Sequence, residues 1–259
     1  MADQAMRRFV GKTVLVTGAG AGIGKAIADE FAKEGAVLIL ADRDAATGEE
    51  TAARIRREGG DVTFIRADVS SADDVAALFA AIAARPAPLD IAVNNAGIEG
   101  KVALIEEQPD SNFDQVVGVN IFGTFQCMRE EVKLMKPRGA GVIINFASIA
   151  AHVGFAGLTV YTASKAAVLA MTKSAALELA RSGVRVASIS PGLVDTAMLD
   201  RFFAADAAAR ETMAASLPLG RPCTPLEIAR GTLFLASDDG ALVLGQTLNL
   251  DGGWAYVKS

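Results

Sequence analysis

The chain has 259 residues, a formal net charge of -5, and hydrophobic residues at 51% of its positions. A chain of this length buries a large core, and we expect one domain over residues 1–259. Nucleic acids and anionic membrane surfaces attract basic proteins, so the net negative charge argues against both and favours a small-molecule partner.

From residue 12 onward, short β-branched runs alternate with longer Ala-rich amphipathic stretches. This alternation is typical of βαβ units around a parallel sheet. Runs such as Val37-Leu38-Ile39-Leu40 are almost continuously hydrophobic, as expected of strands covered by helices on both faces. The sequence predicts an α/β fold with a doubly wound, seven-stranded parallel sheet in a three-layer sandwich, with strands at 12–17, 36–41, 62–67, 89–93, 141–147, 184–190 and 246–250.

Helices are predicted near 22–34, 45–58, 73–84, 112–135, 160–181 and 225–237. Ser70 and Ser71 are N-cap candidates for the third of these helices. The segment 195–220 breaks the alternation because it is rich in Ala, Met and Phe and has no predicted strand. It is either a mobile helical lid over a substrate site or an ordinary packed surface segment.

The first predicted strand runs into a glycine-rich loop, Thr17-Gly18-Ala19-Gly20-Ala21-Gly22-Ile23-Gly24. Glycines at a strand-to-helix turn let a pyrophosphate approach the backbone, and the helix N-terminus offers free N–H groups and a partial positive charge. A glycine-rich loop alone is also compatible with a simple tight turn. The strand, loop and helix together favour a dinucleotide site, with contacts from Gly18, Gly20, Gly22, Ile23 and Gly24.

Asp42 follows the second strand, 18 residues after Gly24. A carboxylate there accepts hydrogen bonds from ribose hydroxyls and repels a 2′-phosphate, which favours NAD over NADP. Arg43 is adjacent and is able to pair with that phosphate, so NADP stays an alternative. The alternative for Asp42 is a role outside the cofactor site, as a loop carboxylate that caps the next helix.

Two further groups of residues close predicted strands at the carboxyl edge, where open α/β sheets bind ligands. Asp68-Val69 ends the third strand, and Asn94-Asn95-Ala96-Gly97 ends the fourth. The second group is either a plain turn or a set of amides that bridge neighbouring strands and meet the adenosine. We expect a mixed role, with Asp68, Val69, Asn94, Ala96 and Gly97 as cofactor contacts.

Tyr161 and Lys165 are four residues apart at the start of a predicted helix, which places both side chains on one helix face. Lys165 and a positively charged nicotinamide would stabilise the phenolate and move the pKa of Tyr161 down from about 10. Ser148 lies 13 residues before Tyr161, just past the fifth strand. Asn120 is a polar residue in a hydrophobic helical stretch, where an amide that bends the helix is the alternative.

These motifs together resemble the short-chain dehydrogenase/reductase family, in its single-domain branch of about this length. The resemblance covers residues 9–254. It rests on Thr17-Gly18-x-x-x-Gly22-x-Gly24, Asp68, Asn94-Asn95-Ala96-Gly97, Asn120, Ser148, Tyr161-x-x-x-Lys165, Pro191-Gly192 and Asp251-Gly252-Gly253.

The resemblance implies a Rossmann-type fold and assigns four catalytic residues. Tyr161 would exchange a proton with the substrate oxygen while hydride moves between the substrate carbon and the nicotinamide, and Ser148 would orient and polarise that oxygen. Lys165 would bind the nicotinamide ribose and lower the pKa of Tyr161. Asn120 would hold a water that links Lys165 to solvent.

The segment from Pro191 to Thr196 resembles the loop of this family that contacts the nicotinamide. Pro191, Gly192, the Val194 backbone and the Thr196 hydroxyl are therefore expected cofactor contacts. The family also implies a homotetramer, with one interface on the helices that carry Asn120 and Tyr161 and another at 248–257.

The expected substrate pocket is mostly apolar, which suits a hydrophobic or ring-bearing substrate, although a lid also needs apolar residues to dock. Its expected wall consists of Ile98, Glu99, Phe155, Met198, Leu199 and Phe202. His152 either lines the entrance of this pocket or lies in a solvent-exposed loop. No basic cluster occurs near 195–220, which disfavours large polyanionic substrates. Three arginines in and near this segment, Arg201, Arg210 and Arg221, weaken that argument.

Cys127 and Cys223 are far apart, and neither has a histidine close by in the sequence, so we expect neither a disulfide nor a metal site. No run of about 20 apolar residues occurs, and we expect a cytoplasmic protein. The predicted function is NAD-dependent hydride transfer between a secondary alcohol or ketone and the nicotinamide. The alternatives are an NADP-dependent carbonyl reductase and a non-catalytic dinucleotide-binding sensor or scaffold.

Overall fold

A computed structural model describes residues 7–202 and 207–255. Within these ranges one parallel sheet has the strand order β3-β2-β1-β4-β5-β6-β7. The structure therefore confirms the predicted doubly wound sheet, and the strand ends lie within two residues of the predicted ones. The strands are β1 (Thr13–Thr17), β2 (Val37–Asp42), β3 (Asp61–Arg66), β4 (Ile91–Asn94), β5 (Gly141–Phe146), β6 (Val184–Pro191) and β7 (Thr247–Leu250).

The strand order reverses between β1 and β4, which are neighbours in the sheet. The chain leaves β1 toward one side of the sheet and leaves β4 toward the other. A crevice therefore opens at the carboxyl ends of these two strands, where doubly wound proteins bind their ligands.

Helices cover both faces of the sheet. Residues of β1 alternate between the two layers, with Val14 and Val16 in the core on one face and Leu15 in the core on the other. The helices are α1 (Gly22–Lys33), α2 (Ala45–Arg57), α3 (Ala72–Ala83), α4 (Asp110–Val116), α5 (Thr124–Met135), α6 (Thr159–Leu179), α7 (Ala197–Phe202), α8 (Ala207–Ser216) and α9 (Pro225–Ala236). No helix among the described residues is long and apolar enough to span a membrane.

Side chains cap α2, α3 and α9 at their N-termini. The Asp44 carboxylate caps α2, Ser71 caps α3, and Thr224 forms a capping box with Glu227 at α9. The N-cap prediction is confirmed for Ser71 and wrong for Ser70, which donates its N–H and its hydroxyl to Asp68. The N-terminus of α1 has no side-chain cap, so its first N–H groups are available to a ligand.

The single helix predicted at 112–135 is interrupted. Between α4 and α5 the backbone forms a π-helical segment, Val117–Gly123, with Asn120 at its centre. π-Helical segments are rare and occur mostly as short stretches inside α-helices, so a helical pattern in the sequence predicts an ordinary α-helix there. Such segments are frequent at functional sites.

The segment 195–220, predicted to be either a helical lid or an ordinary packed surface segment, contains α7 and α8. Leu199 and Leu217 of this segment are buried. Val194 and Cys223, which flank the segment on either side, form an isolated β-bridge. Residues 203–206 and the side chains of Phe202 and Ala207 lie outside the described residues. Parts of both helices line the cavity described below.

Candidate active site

A cavity of about 400 Å³ opens at the carboxyl edge of the sheet. This volume is in the range of small-molecule sites. Most of the predicted site residues line it together, although they come from loops after six different strands. They are Gly18, Gly22, Ile23, Asp42, Arg43, Asp68, Val69, Ala96, Gly97, Ser148, Tyr161, Lys165, Pro191, Gly192, Val194 and Thr196.

Gly20 and Gly24 do not line the cavity, and their role as direct cofactor contacts stays a prediction. A Cβ atom on Gly24 would lie 2.0 Å from the Gly18 carbonyl oxygen, so Gly24 lets α1 pack against the loop. The Gly20 N–H donates to the Asp42 carboxylate at 2.8 Å, and a Cβ there would meet Thr47 at 2.5 Å. Both glycines allow the close packing of the loop against neighbouring parts of the protein.

Asn94 does not line the cavity, and its role as a cofactor contact also stays a prediction. It is buried and donates to Glu131 and to Asn145, in both cases at 3.0 Å. Asn95 performs the predicted bridging role. Its amide nitrogen donates to the carbonyl oxygens of Thr17 and Gly18, each at 3.0 Å, and so fixes the glycine-rich loop to the end of β4.

Asp42 lies where β2 ends and faces both the loop and the cavity. Its carboxylate accepts hydrogen bonds from the N–H groups of Gly20 and Asp44. The alternative role as a helix cap is wrong for Asp42, because Asp44 caps α2. Arg43 is exposed and lines the same end of the cavity.

Ser148, Tyr161 and Lys165 meet at the opposite end. Ser148 follows β5 and accepts a hydrogen bond from the Ala150 N–H at 3.1 Å. Lys165 is buried and donates to the Phe146 carbonyl oxygen at 2.9 Å, with its Nζ atom 5.8 Å from the centroid of the Tyr161 ring. Burial lowers the pKa of Lys165 to about 8.

Burial raises the pKa of Tyr161, hydrogen bonding to Ser148 lowers it, and the negative charge of Glu99 raises it further. The net shift in the protein alone is upward. The lowering by Lys165 together with a positively charged nicotinamide concerns the protein with cofactor bound and stays a prediction. Stabilisation of a phenolate requires further positive charge in the cavity.

Asn120 does not line the cavity, and its side chain is fully buried. It exchanges two hydrogen bonds of 2.9 Å with the backbone of Ile98 and donates to the Ser164 hydroxyl at 2.9 Å. Ser164 in turn donates to the Tyr161 carbonyl oxygen at 2.7 Å. Asn120 thus ties the loop after β4 to the helix that carries Tyr161.

His152 fits neither of its predicted alternatives. It is half-buried, does not line the cavity, and has its Nε2 atom 3.1 Å from the Ser190 hydroxyl on β6. Burial lowers its pKa. The contact of a loop histidine with a neighbouring strand has no signature in the sequence.

The predicted pocket wall is present for Ile98, Glu99, Phe155, Met198 and Leu199. The side chain of Phe202 lies outside the described residues. The prediction missed Trp254, which lines the cavity and packs edge-to-face on Phe155 with ring centroids 5.1 Å apart. It also missed Ile149, Leu158 and Met213.

Trp254 reaches the cavity through a close approach of two backbone segments. A Cβ atom on Gly192 would lie 2.7 Å from the Asp251 Cα atom, so glycine there lets the segment after β7 lie against the end of β6. The glycines around Asp251 were the available signal. Nothing in their spacing indicates that the following tryptophan turns inward.

Residues 18–255 match a family model described as enoyl-(acyl carrier protein) reductase. A 3beta-hydroxysteroid dehydrogenase from Mediterraneibacter gnavus is 39% identical over 267 aligned residues, which cover 96% of each chain. This chain belongs to the short-chain dehydrogenase/reductase family. Like its relatives in this family, it is an oxidoreductase that acts on alcohol and ketone groups.

Two other members of the family are similar over nearly their whole length. A cis-4-hydroxycyclohexanecarboxylate dehydrogenase from Sinomonas cyclohexanicum is 38% identical, over 96% of this chain and 98% of the relative. A solved structure of levodione reductase superposes with a TM-score of 0.93 at 34% identity, over 96% of this chain and 99% of the other. Family members bind a nicotinamide dinucleotide, and similar proteins have been solved with NADPH and with NADH.

Proposed function

We propose that this dehydrogenase/reductase transfers hydride between a secondary alcohol or ketone and NAD, with Tyr161 as the general acid/base. The observation that carries the proposal is that one cavity is lined by the glycine-rich loop and Asp42 at one end and by Ser148, Tyr161 and Lys165 at the other. A bound nicotinamide supplies the hydride acceptor or donor. The remaining steps fall to side chains of this protein.

The glycine-rich end fits a dinucleotide pyrophosphate. Gly18 and Gly22 have positive φ angles of 66° and 52°, which lets the backbone turn under the ligand without side chains in the way. The uncapped N-terminus of α1 offers N–H groups to an anion. Pro191, Gly192, Val194 and Thr196 line the opposite side and are proposed to hold the nicotinamide end.

Asp42 supports the preference for NAD. Its carboxylate is held in place by two backbone N–H groups beside the cavity, where it would accept from ribose hydroxyls and repel a 2′-phosphate. Arg43 lines the same end, and this observation favours the second candidate, an NADP-dependent carbonyl reductase. If Asp42→Ala leaves the ratio of NAD to NADP affinity unchanged, Arg43 governs the choice and the second candidate is correct.

At the catalytic end, Ser148 and Tyr161 are proposed to hold the substrate oxygen by hydrogen bonds. In the oxidation direction the Tyr161 phenolate accepts the hydroxyl proton; in reduction the phenol returns it. Lys165 is proposed to contact the nicotinamide ribose and to favour the phenolate. Asn120 is proposed to support the water path behind Lys165 through its contacts to Ile98 and Ser164.

We propose a neutral, ring-bearing secondary alcohol as the substrate. The wall is apolar at Ile98, Leu158, Met198 and Trp254, and Phe155 adds an aromatic face. The names of the hydroxysteroid and hydroxycyclohexanecarboxylate relatives point to ring substrates for those enzymes. α7 and α8 are proposed to act as the lid over this wall.

A homotetramer is proposed as the assembled form. Phe113, Phe122 and Phe125 are 54%, 43% and 42% exposed on the helical segment that carries Asn120, and Leu177 is 81% exposed on α6. Exposed large apolar residues on two neighbouring helical segments are typical of a protein interface. Both cysteines are free, which fits the reducing cytoplasm in which we place the enzyme.

The test is reduction of NAD and NADP by the purified protein across a panel of alicyclic alcohols, steroids, cyclic diols and sugars. We expect NAD-linked turnover of ring alcohols that Tyr161→Phe abolishes while NADH affinity is retained. Cofactor binding without turnover of any substrate would support the non-catalytic sensor instead. Equal turnover by Tyr161→Phe would contradict the role of Tyr161.

A further inference from the structure

A two-pronged ion pair crosses the mouth of the cavity. Arg201, on α7, donates from Nε to Glu99 Oε1 at 2.6 Å and from a terminal nitrogen to Oε2 at 3.2 Å. Glu99 belongs to the loop after β4, so the pair links two segments 102 positions apart in sequence. The Glu99 side chain is only 16% exposed, whereas that of Arg201 is 61% exposed.

Glu99 is the acidic group that acts on Tyr161. Its negative charge raises the pKa of Tyr161, in addition to the larger effect of burial. Lys165 is a cation close to the same phenol, with its Nζ atom 5.8 Å from the Tyr161 ring centroid. The charged residues that line the cavity within the described ranges are Asp42, Arg43, Asp68, Glu99, Lys165 and Arg201, and the first three follow β2 and β3 at the adenosine end.

We propose that Arg201 is a positioning residue that couples closure of α7 to proton transfer at Tyr161, because it neutralises the carboxylate of Glu99 only when the helix lies over the cavity. This inference rests on the proposed role of Tyr161. With α7 closed, Arg201 offsets part of the Glu99 charge, because Glu99 still raises the pKa of Tyr161 in the paired arrangement. With α7 lifted, the bare carboxylate disfavours a second negative charge on the nearby phenol.

The consequence is a proton-transfer step timed to closure. In alcohol oxidation the carbinol C–H bond breaks and its electron pair leaves as hydride to the nicotinamide. The O–H proton passes to the Tyr161 oxygen and the C=O bond forms. This step requires the phenolate, so it is favoured with the lid closed and the substrate shielded from water.

The matched control is Arg210, the other lid arginine. It pairs with Asp195 and Asp200, which belong to the lid segment, and it neither contacts Glu99 nor lines the cavity. Arg210→Met therefore weakens ion pairs of the lid and leaves Glu99 neutralised. Arg201→Met uncovers Glu99, Arg201→Lys keeps the charge, and Glu99→Gln/Arg201→Met removes both charges.

The experiment is the pH profile of kcat/KM for alcohol oxidation in these variants. For Arg201→Met we expect kcat/KM at neutral pH to fall roughly three- to tenfold, because the acid limb of the profile moves to higher pH. At high pH, kcat/KM should recover toward the wild-type value. Arg201→Lys and the double variant should return the limb to the wild-type position, and Arg210→Met should not move it. A fall in Arg201→Met that is equal at every pH, or that persists in the double variant, would overturn the proposal.

A second measurement needs no turnover. The sequence has two tyrosines, so the tyrosinate absorbance of Tyr161 is obtained by subtracting the pH titration of Tyr161→Phe. Because Arg201→Met leaves Glu99 uncovered, its Tyr161 should titrate at higher pH than that of Arg210→Met. If Tyr161 titrates at the same pH in Arg201→Met and Arg210→Met, the coupling is refuted. The proposed function is tested separately, by comparing the activity of the wild type with that of Tyr161→Phe.

Discussion

Glu131 is predicted to make the stability of the protein fall as the pH rises above about 4.5. This carboxyl group of α5 is fully buried, and its Oε2 atom accepts a hydrogen bond from the Asn94 amide at 3.0 Å. The Oε1 atom of Glu131 and the Oδ1 atom of Asn94 have no hydrogen-bond partner among the described residues. Burial raises the pKa of Glu131 to about 8, and the hydrogen bond to Asn94 opposes this shift. We therefore expect the folded protein to hold a neutral carboxylic acid there at pH 7.

The sign and size follow from proton linkage. The folded-state pKa lies above the ordinary value of 4.5, so the contribution to stability is fully present below about pH 4.5 and is lost as the pH rises to about 8. In that interval only the folded state binds the proton, and the free energy of unfolding falls by about 1.4 kcal/mol per pH unit. Between pH 5 and pH 8 the loss is about 4 kcal/mol.

The perturbation is Glu131→Gln, which keeps the shape and removes the proton equilibrium. Urea unfolding of both proteins at fixed protein concentration and at several pH values gives the difference in unfolding free energy, from which other titrating groups cancel. We expect the unfolding free energy of the variant, relative to that of the wild type, to increase by about 4 kcal/mol from pH 5 to pH 8.

Glu130 on the same helix provides the matched control. Hydrogen bonding to Lys133 is the main cause that lowers the pKa of Glu130, so its stabilising effect is present above its ordinary pKa and is lost as the pH falls through the lowered value. Glu130→Gln should therefore show a constant offset from wild type between pH 5 and pH 8. A constant offset for Glu131→Gln as well would refute the reasoning, because it would mean that Glu131 is ionised in the folded state.

The other predictions concern the site. Ser148→Ala should lower kcat/KM by about 100-fold or more. The acid limb of its pH profile should move to higher pH, because the variant loses a hydrogen bond that lowers the pKa of Tyr161. Its affinity for NADH, measured by quenching of the single tryptophan, should equal that of the wild type. Asp42→Ala should raise the affinity for NADP relative to NAD in the same assay, and an unchanged ratio would contradict the role of Asp42. Gly24→Ala should lower both Tm and dinucleotide affinity, because its Cβ would lie 2.0 Å from a loop carbonyl oxygen; a variant with wild-type Tm and affinity would show that the loop relaxes freely.

Sequence reasoning predicted the features that follow from local pattern. Hydrophobic runs gave the strands, and parallel strands place their carboxyl ends at one edge, so Asp42, Gly97, Ser148 and Pro191 were expected to meet. Their common position at one cavity confirms that expectation. Tyr161 and Lys165 were reachable because helical spacing puts them on the same face.

What the sequence did not predict depends on packing between distant segments. Asn94 and Asn95 are identical and adjacent, yet one faces the buried Glu131 and the other the glycine-rich loop. Successive side chains at the end of a strand point to opposite faces of the sheet. Which face borders the ligand site depends on how the helices pack, and the sequence pattern does not show this. Trp254 and the pair of Glu99 with Arg201 were missed for the same reason, since spacing carries no information on contacts across the cavity.

The central claim is hydride transfer from a substrate carbon with Tyr161 as proton acceptor. Its most direct test uses the best ring alcohol of the panel, deuterated at the carbinol carbon, and follows the label into the nicotinamide by mass spectrometry. We predict that the wild type forms deuterated NADH and that Tyr161→Phe, with NAD bound, forms almost none. Label transfer at equal rates in both proteins, or cofactor binding by the wild type with no transfer from any alcohol, would contradict the account.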